Sequence, residues 1–251
     1  MTTYVPRHEF IYEISSETID SEKEYRDKLV KNLEEEYSDI GMSLSPIYRT
    51  AETALRLDPT AAEVETWESW TIAMQVYNAL FARSMAEKGT KLEYLVAHKT
   101  RTLTASGWLD FAGPGTWQNA FFLAVVCREN ARAQALCQIP VEYLREATRS
   151  AQAEYNEYIY HWVAALQAFV NGTDGLASEL RQAMELSDPS RGAFGGEALD
   201  LLVFPQMEVL RQLLLGDSTE FNEALVHALE CHKHYHIQVG EAMNIASGII
   251  P

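Results

Sequence analysis

The chain has 251 residues and a mass of 28.3 kDa, enough to bury a sizeable core in one domain or two fused helical halves. Its 36 acidic residues outnumber 20 basic ones, and the formal net charge of -16 argues against nucleic-acid binding and favours a basic partner. The three cysteines lack a CxxC spacing, and no apolar run approaches the ~18 residues of a membrane span. We therefore expect a cytoplasmic protein with reduced thiols and no membrane segment.

The first predicted helix begins at Glu17, after an irregular or extended segment. Apolar residues at spacings of four define one face of it: Tyr25, Leu29, Leu33 and Tyr37. The opposite face carries the densest acidic run of the chain, Glu34, Glu35, Glu36 and Asp39. A solvated face is the simplest interpretation of this run. The alternative is that Glu34, Glu35 and Asp39 contribute to a surface that faces a basic partner.

Two further helices are predicted before residue 90. The second helix begins at Ser45–Pro46, where serine caps and proline suits the first turn, and it runs to about Leu57. The third begins at the capping box Thr60–Glu63 and runs to about Lys88. A stripe of large side chains recurs along it at spacings of three and four: Trp67, Trp70, Met74, Tyr77, Phe81 and Met85. We interpret this stripe as core rather than as a ligand cage, because such spacing is typical of a buried helix face.

A small β-hairpin is predicted between the third helix and the centre of the chain. Apolar and β-favouring residues alternate from Lys91 to Thr104, with a turn expected at His98–Lys99. The loop Ala105–Gly115 then leads to Thr116, which we expect to cap the next helix.

The most apolar helix of the chain is predicted at its centre. Polar residues nearly vanish within Trp117–Cys127, so this helix should be surrounded on most sides. A short amphipathic partner, Arg128–Cys137, ends before Ile139–Pro140. The longest helical pattern then runs unbroken from Pro140 or Val141 to Asn171–Gly172.

The remaining sequence predicts three more helical segments. One covers about Gly175–Leu186, and a second covers Glu197–Leu215, which Pro205 splits or restarts. A capping box at Asp217–Glu220 opens a third, from Phe221 to about Val239. The predicted fold is mainly α, an irregular multi-helix bundle of helical hairpins with one small β-hairpin insertion. We expect a single domain over residues 1–251, with an N-terminal helical half at 1–104 and a C-terminal half at 116–251.

Histidines in the last predicted helix are the clearest candidate for a metal site. His232 and His236 share one helix face, as do His227 and Cys231. The HExxH arrangement is absent from this segment, and no second ligand cluster is predicted near it. We therefore expect no metal.

A second candidate for metal chemistry lies on the long predicted helix, where Glu154, Glu157 and His161 fall near one face. Helical di-iron bundles need Glu-x-x-His on each of two helices, and the sequence lacks that spacing here. We find no Gly-rich phosphate loop and no nucleophile elbow. We expect no catalytic residues and no cofactor.

A series of short motifs follows in order along the second half of the chain: Trp117 with Ala120, Leu123 and Ala124, then Cys127–Glu129, Leu136–Pro140, Glu154–Tyr155, Leu166–Ala168, Pro205, Phe221, Ala224–Leu225 and His232–Lys233. Together they resemble the immunity protein 49 family. The similarity extends over roughly Met1–Ile250, and we expect family members to continue past Pro251 into a further apolar segment.

The resemblance implies a mainly helical bacterial protein that is encoded beside a polymorphic toxin, binds that toxin and blocks it. It implies no catalytic centre, and its matched residues occupy packing positions, so it supplies no site. The partner would be the cognate toxin, for which a basic nuclease is one possibility, because an acidic inhibitor associates quickly with a basic protein. The alternatives are a solenoid-like helical adaptor or scaffold and, third, a metal-dependent helical enzyme.

Overall fold

The structure is a computed structural model, and it describes residues 4–7, 14–34, 40–107, 111–187 and 196–238. It is mainly helical with one two-stranded antiparallel sheet, which confirms the predicted fold class. The elements before the centre are α1 (Ser16–Asn32), α2 (Ile40–Leu57), α3 (Val64–Met85), β1 (Lys91–Val96) and β2 (Lys99–Thr104). The later helices are α4 (Pro114–Val126), α5 (Asn130–Leu136), α6 (Val141–Ser150), α7 (Glu157–Asn171), α8 (Leu176–Leu186), α9 (Gly196–Ala198), α10 (Phe204–Leu215) and α11 (Ser218–Gln238).

The chain divides into two compact units. One consists of Ile14–Glu154, and the other of Tyr155–Pro251 together with Met1–Glu13. The boundary between the units lies between α6 and α7. The expectation of a single domain with helical halves at 1–104 and 116–251 stays a prediction.

The aromatic stripe of α3 forms a large part of the core of the first unit. Its middle members Trp70, Met74, Tyr77 and Phe81 are at most 4% exposed, which confirms their assignment to the core. The assignment is wrong at the two ends of the stripe, where Trp67 is 44% and Met85 is 45% exposed. Both lie in terminal turns of α3, where fewer neighbouring elements cover the helix.

Helix α1 presents to the core a face that only partly matches the predicted one, since Leu33 is buried and Leu29 half-buried as expected. Its buried residues are Ile19, Arg26 and Val30, followed by Leu33 just after the helix, whereas Tyr25 is 50% exposed. Steps of four residues drift by about 40° each around a helix of 3.6 residues per turn, so they do not keep to one stripe. Steps of seven, four and three residues stay on one face, and these are the spacings between the buried residues of α1.

The starts of α2 and α3 differ from the predictions. Helix α2 begins at Ile40, and Pro46 lies inside it. The predicted capping box does not form at α3. The N-cap is Glu63, without a side-chain cap, and Asp58 holds the loop before the helix by accepting from the backbone N–H groups of Ala62 (3.1 Å) and Glu63 (2.9 Å).

The β-hairpin is confirmed, with Lys91 paired to Thr104 and Val96 paired to Lys99. Its turn lies at Ala97–His98, one residue before the predicted position. Both turn residues have positive φ, 51° and 60°, as a two-residue hairpin loop of right-handed strands requires. The backbone N–H of Ala97 donates to Oε1 of the buried Gln75 at 2.9 Å, which fixes the turn against α3.

Helix α4 is central to the first unit, and its N-cap is Gly113 rather than Thr116. Trp117 is 0% exposed, and its ring stacks on that of Phe121 with centroids 5.1 Å apart. Its Nε1–H donates to the carbonyl oxygen of Leu136 at 2.9 Å, so the one polar atom of the indole is satisfied in the core.

The long unbroken helix after Pro140 is a wrong prediction, because α6 ends at Ser150 and α7 begins at Glu157. Gln152 adopts a left-handed φ of 52°, and the N–H of Ala153 donates to the carbonyl oxygen of Thr148 at 3.1 Å. This geometry ends helices and is usually marked by glycine. No glycine or proline marks it here, so the sequence pattern runs through the break.

In the second unit α7 packs on α8, and α10 packs on both α8 and α11. A π-helical turn, Leu199–Val203, precedes α10, with the N–H of Phe204 donating to the carbonyl of Leu199. Pro205 has no N–H to continue α-helical bonding, which accounts for the wider turn. Asp217 caps α11 as predicted, accepting from the N–H of Thr219 at 2.8 Å. Within the described ranges, none of the helices is long and apolar enough to cross a membrane.

Candidate functional site

The predicted acidic surface falls only partly within the described residues. Glu34 lies just after α1, and its Oε2 atom accepts hydrogen bonds from Lys99 Nζ (3.0 Å) and Arg101 NH1 (2.9 Å). The hydrogen bond from Lys99 is the largest cause that lowers the pKa of Glu34. Glu34 is therefore not a solvated charge pointing away from the protein. Glu35 and Asp39 lie outside the described residues, and the role of all three in partner binding stays a prediction.

Arg101 explains why Glu34 is held in this way. The arginine is 8% exposed, and its Nε donates to the carbonyl oxygen of Val96 at 3.2 Å. A buried guanidinium needs a charged partner to offset the loss of water. Glu34 supplies that partner, so its carboxylate fastens the hairpin to the end of α1.

A buried polar cluster lies between α1, α2 and α3, and sequence reasoning missed it. Glu52 is 7% exposed, and burial raises the pKa of its carboxyl group to about 8. Tyr48, one turn earlier, makes edge contacts with Trp70 and Tyr77, with ring centroids 6.2 Å and 5.9 Å apart. Among the described residues, Oε1 of Glu52 and Oη of Tyr48 have no hydrogen-bond partner. The spacing of four between Tyr48 and Glu52 was the available signal, since it places both on one face of α2.

The chemistry of this cluster is that of a protonated acid in an aromatic core. A carboxyl group with a pKa near 8 is mostly neutral at physiological pH, and the same burial raises the pKa of Tyr48. Such groups couple stability to pH, and this consequence can be measured directly.

The histidines of α11 form the pairs that their spacing predicted. The rings of His232 and His236 have centroids 4.3 Å apart, and Sγ of Cys231 lies 3.5 Å from Nε2 of His227. The part of the chain that the structure describes contains no group of three or more histidine, cysteine or acidic side chains placed to hold a metal ion. These residues therefore meet as pairs along one helix.

The second metal candidate is separated by the break between α6 and α7. Glu154 precedes α7, so its expected place on a common face with His161 is wrong, whereas Glu157 and His161 lie four residues apart in α7 and share one face. His161 Nδ1 lies 2.7 Å from Oε2 of Glu179 on α8. This contact links α7 to α8, so a structural role is sufficient to explain the presence of His161.

The cysteines have the character of protonated thiols. None of the three forms a disulfide, and Cys137 is 4% exposed. Burial raises the pKa of Cys127 to about 11 and that of Cys137 to about 12. Since the thiolate is the nucleophilic form, these two residues are poor nucleophiles at neutral pH.

Comparison with known proteins gives the family. A family model described as Immunity protein 49 matches residues 58–249, from the segment before α3 through α11. Neither a search of curated proteins nor a search of solved structures found a match. Members of this family are generally non-enzymatic, and the family name implies a toxin as partner. Because the match covers well over half of the chain, the protein belongs to the immunity protein 49 family, as the resemblance predicted.

Proposed function

We propose that this chain neutralises a bacterial toxin by binding it directly, and that it catalyses no reaction itself. The observation that carries the proposal is the family match over residues 58–249. A blocking protein needs a stable scaffold and an exposed recognition surface. The buried aromatic core of α3 and α4 supplies such a scaffold.

The charge of the chain supports a basic toxin, such as a nuclease. With 36 acidic residues against 20 basic ones, the long-range field attracts a cationic protein and speeds its association. We place this encounter in the cytoplasm, where the three thiols, none of them in a disulfide, would remain reduced.

The two alternative functions have less support. The family match does not favour a helical adaptor or scaffold. A metal-dependent enzyme would need more ligands than the His227–Cys231 and His232–His236 pairs provide. Metal analysis of protein purified without an affinity tag tests the enzyme directly, and a stoichiometric metal would favour it.

Co-expression tests the proposed function. The toxin domain encoded beside this gene should stop growth when it is expressed alone in a bacterial host, and co-expression of this chain should restore growth. A toxin domain from an unrelated system is the matched control, and this chain should not rescue it. Purified chain and cognate domain should also elute together from a sizing column. Persistent toxin activity in the presence of excess chain would overturn the proposal.

A test of the acidic run after α1 should leave Glu34 unchanged, because this residue has a structural role. Glu34 already pairs with Arg101, so reversing its charge would loosen the hairpin as well as change the surface. The double variant Glu35→Lys/Asp39→Lys avoids this effect. If the run faces the toxin, association should slow and depend less on salt, with an unchanged circular dichroism spectrum. A wild-type rate and salt slope would place the interface elsewhere.

A further inference from the structure

An exposed apolar patch lies where α2 ends and α3 begins. It consists of Leu57, Val64 and Trp67, which are 45%, 78% and 44% exposed, and we call it the Trp67 patch. Val64 and Trp67 are three residues apart and therefore share a face of α3. The side chain of Asp58, next to Leu57, accepts hydrogen bonds from Glu63, the N-cap of α3, and from Thr66 in its first turn, and so brings the end of α2 beside them.

Trp67 differs from the other described tryptophans. Trp70, Trp117 and Trp162 are at most 4% exposed. The exposed part of an aromatic ring contributes nothing to folding through burial, and tryptophan is among the side chains most enriched in the dominant contacts of protein interfaces.

The indole of Trp67 is held in position by its own surroundings. Its Nε1–H donates to the carbonyl oxygen of Ala61 at 2.8 Å. The preceding loop is fixed in turn by Asp58, whose carboxylate accepts from the N–H of Glu63 at 2.9 Å and from Oγ1 of Thr66 at 2.8 Å. The polar atom is thus satisfied within the chain, and the remaining ring is presented without much freedom to lose on binding.

The surroundings of the patch are acidic. From residue 57 to residue 82 the chain contains Asp58, Glu63, Glu65 and Glu68 and no basic residue. The nearest cation along the chain, Arg56, precedes Leu57, is half-buried and interacts with Glu52 and Glu22. Asp58 is engaged in the loop, and Glu68 lies 3.2 Å from His98, whereas Glu63 and Glu65 are exposed. Acidic residues stabilise the N-terminus of a helix, which accounts for their presence but not for the exposed ring and valine beside them.

We propose that the Trp67 patch is a docking surface for a basic protein surface, with the indole as its anchor and Glu63 and Glu65 as its charged rim. An apolar centre inside a charged rim is the usual anatomy of a protein interface. Arginine is the partner that such a site fits best, because its guanidinium can stack on the indole and pair with the carboxylates. This inference rests on the proposed function, in which the basic partner is the toxin.

The test measures binding of the full chain to the toxin domain encoded beside its gene, by surface plasmon resonance at several salt concentrations. Trp67→Ala should weaken affinity roughly 10- to 30-fold, mainly through faster dissociation. Val64→Arg should weaken it similarly, and this residue is too exposed for the change to disturb the core. Glu63→Lys/Glu65→Lys should slow association and reduce its dependence on salt.

Matched variants of the second unit serve as controls. Phe169 is 42% exposed, nearly the same fraction as Trp67. Glu220 and Glu223 are exposed residues in the first turns of α11. Phe169→Ala and Glu220→Lys/Glu223→Lys should bind as the wild type does. If the wild type binds but the patch variants behave like these controls, the docking surface is overturned and the proposed function stands. If the wild type does not bind the toxin domain, the proposed function is overturned and the inference falls with it.

Discussion

Two tryptophans in the first turns of neighbouring helices have opposite surroundings. Trp117, in α4, is 0% exposed, whereas Trp67, in α3, is 44% exposed. Each donates its indole N–H to a backbone carbonyl, that of Leu136 at 2.9 Å and that of Ala61 at 2.8 Å. The hydrogen bonds are alike, so the difference lies in what covers the rings.

This difference separates stability from recognition within one unit. The ring of Trp117 stacks on Phe121 inside the core, so its contacts stabilise the fold. The ring of Trp67 is fixed by a local loop and meets solvent, so its unused apolar area is available to a partner. We expect substitutions at the two sites to have opposite effects on folding and binding.

The largest effect is expected at Trp117. Trp117→Ala should lower the free energy of unfolding by about 3–5 kcal/mol, because a large aromatic side chain leaves a cavity in a closed core. Urea unfolding followed by circular dichroism measures this loss. Trp117→Phe retains a stacked ring but removes the indole N–H, while the carbonyl of Leu136 still accepts from the N–H of Ile139 at 3.1 Å. Loss of this one hydrogen bond should lower stability by about 0.5–1.5 kcal/mol. Wild-type stability of both variants would mean that Trp117 and Trp67 do not differ as described.

A substitution of Glu52 on α2 tests whether the core between α2 and α3 is as apolar as the core around Trp117. Its folded-state pKa of about 8 lies above the ~4.3 of an unfolded glutamate, so the native state binds more protons between these values. The contribution of Glu52 to the free energy of unfolding should therefore be greatest below pH ~4.3 and should fall as the pH rises towards 8. The slope has an upper limit of about 1.4 kcal/mol per pH unit.

The change Glu52→Gln should remove this dependence. The free energy of unfolding of the wild type should fall by on the order of 2–4 kcal/mol between pH 5 and pH 8, relative to the variant. Glu65→Gln is the control, because Glu65 lies exposed on α3 and should leave the slope unchanged. Parallel pH profiles of wild type and Glu52→Gln would show that the carboxyl group is ionised in the native protein.

The comparison also shows which parts of the fold could be read from sequence. Periodicity predicted α3 and α4 well because both are buried along most of their length, where apolar spacing follows packing. It assigned Trp67 to the core because the stripe continues smoothly to the end of the helix. Only neighbouring elements decide where coverage stops, and a sequence pattern carries no information about them.

Local chemistry limited the predictions elsewhere. The break between α6 and α7 depends on a left-handed Gln152, a residue that does not signal it. The pairing of Glu34 with Arg101 joins residues 67 positions apart, so an acidic run on a helix pattern was interpreted as solvated. Asp217, by contrast, caps α11 by accepting from the N–H of Thr219, only two residues away, and the sequence predicted this cap correctly.

Arg101 is intermediate between the two tryptophans, since it is 8% exposed but bound by polar contacts. Arg101→Met keeps the length of the side chain and removes its bonds to Val96 and Glu34. It should lower the free energy of unfolding by about 1.5–3 kcal/mol, the usual contribution of a hydrogen bond that involves a charged group. Lys99→Met, at the exposed contact with the same carboxylate, is the control and should have little effect. Equal losses in the two variants would show that burial does not distinguish these ion pairs.

The smallest effect on folding is expected at Trp67. Trp67→Ala removes one hydrogen bond and the contacts of a ring that is already 44% exposed, so stability should fall by about 1 kcal/mol or less. The same urea titration used for Trp117→Ala measures it, and Trp67→Phe separates the N–H bond to Ala61 from the ring. The contrast is sharpest when both alanine variants are compared under conditions in which both are folded. There, Trp117→Ala should bind the toxin domain as the wild type does, while Trp67→Ala should bind more weakly. A large loss of stability in Trp67→Ala would instead assign this side chain to holding α2 against α3, and the exposed ring would then be a by-product of that packing.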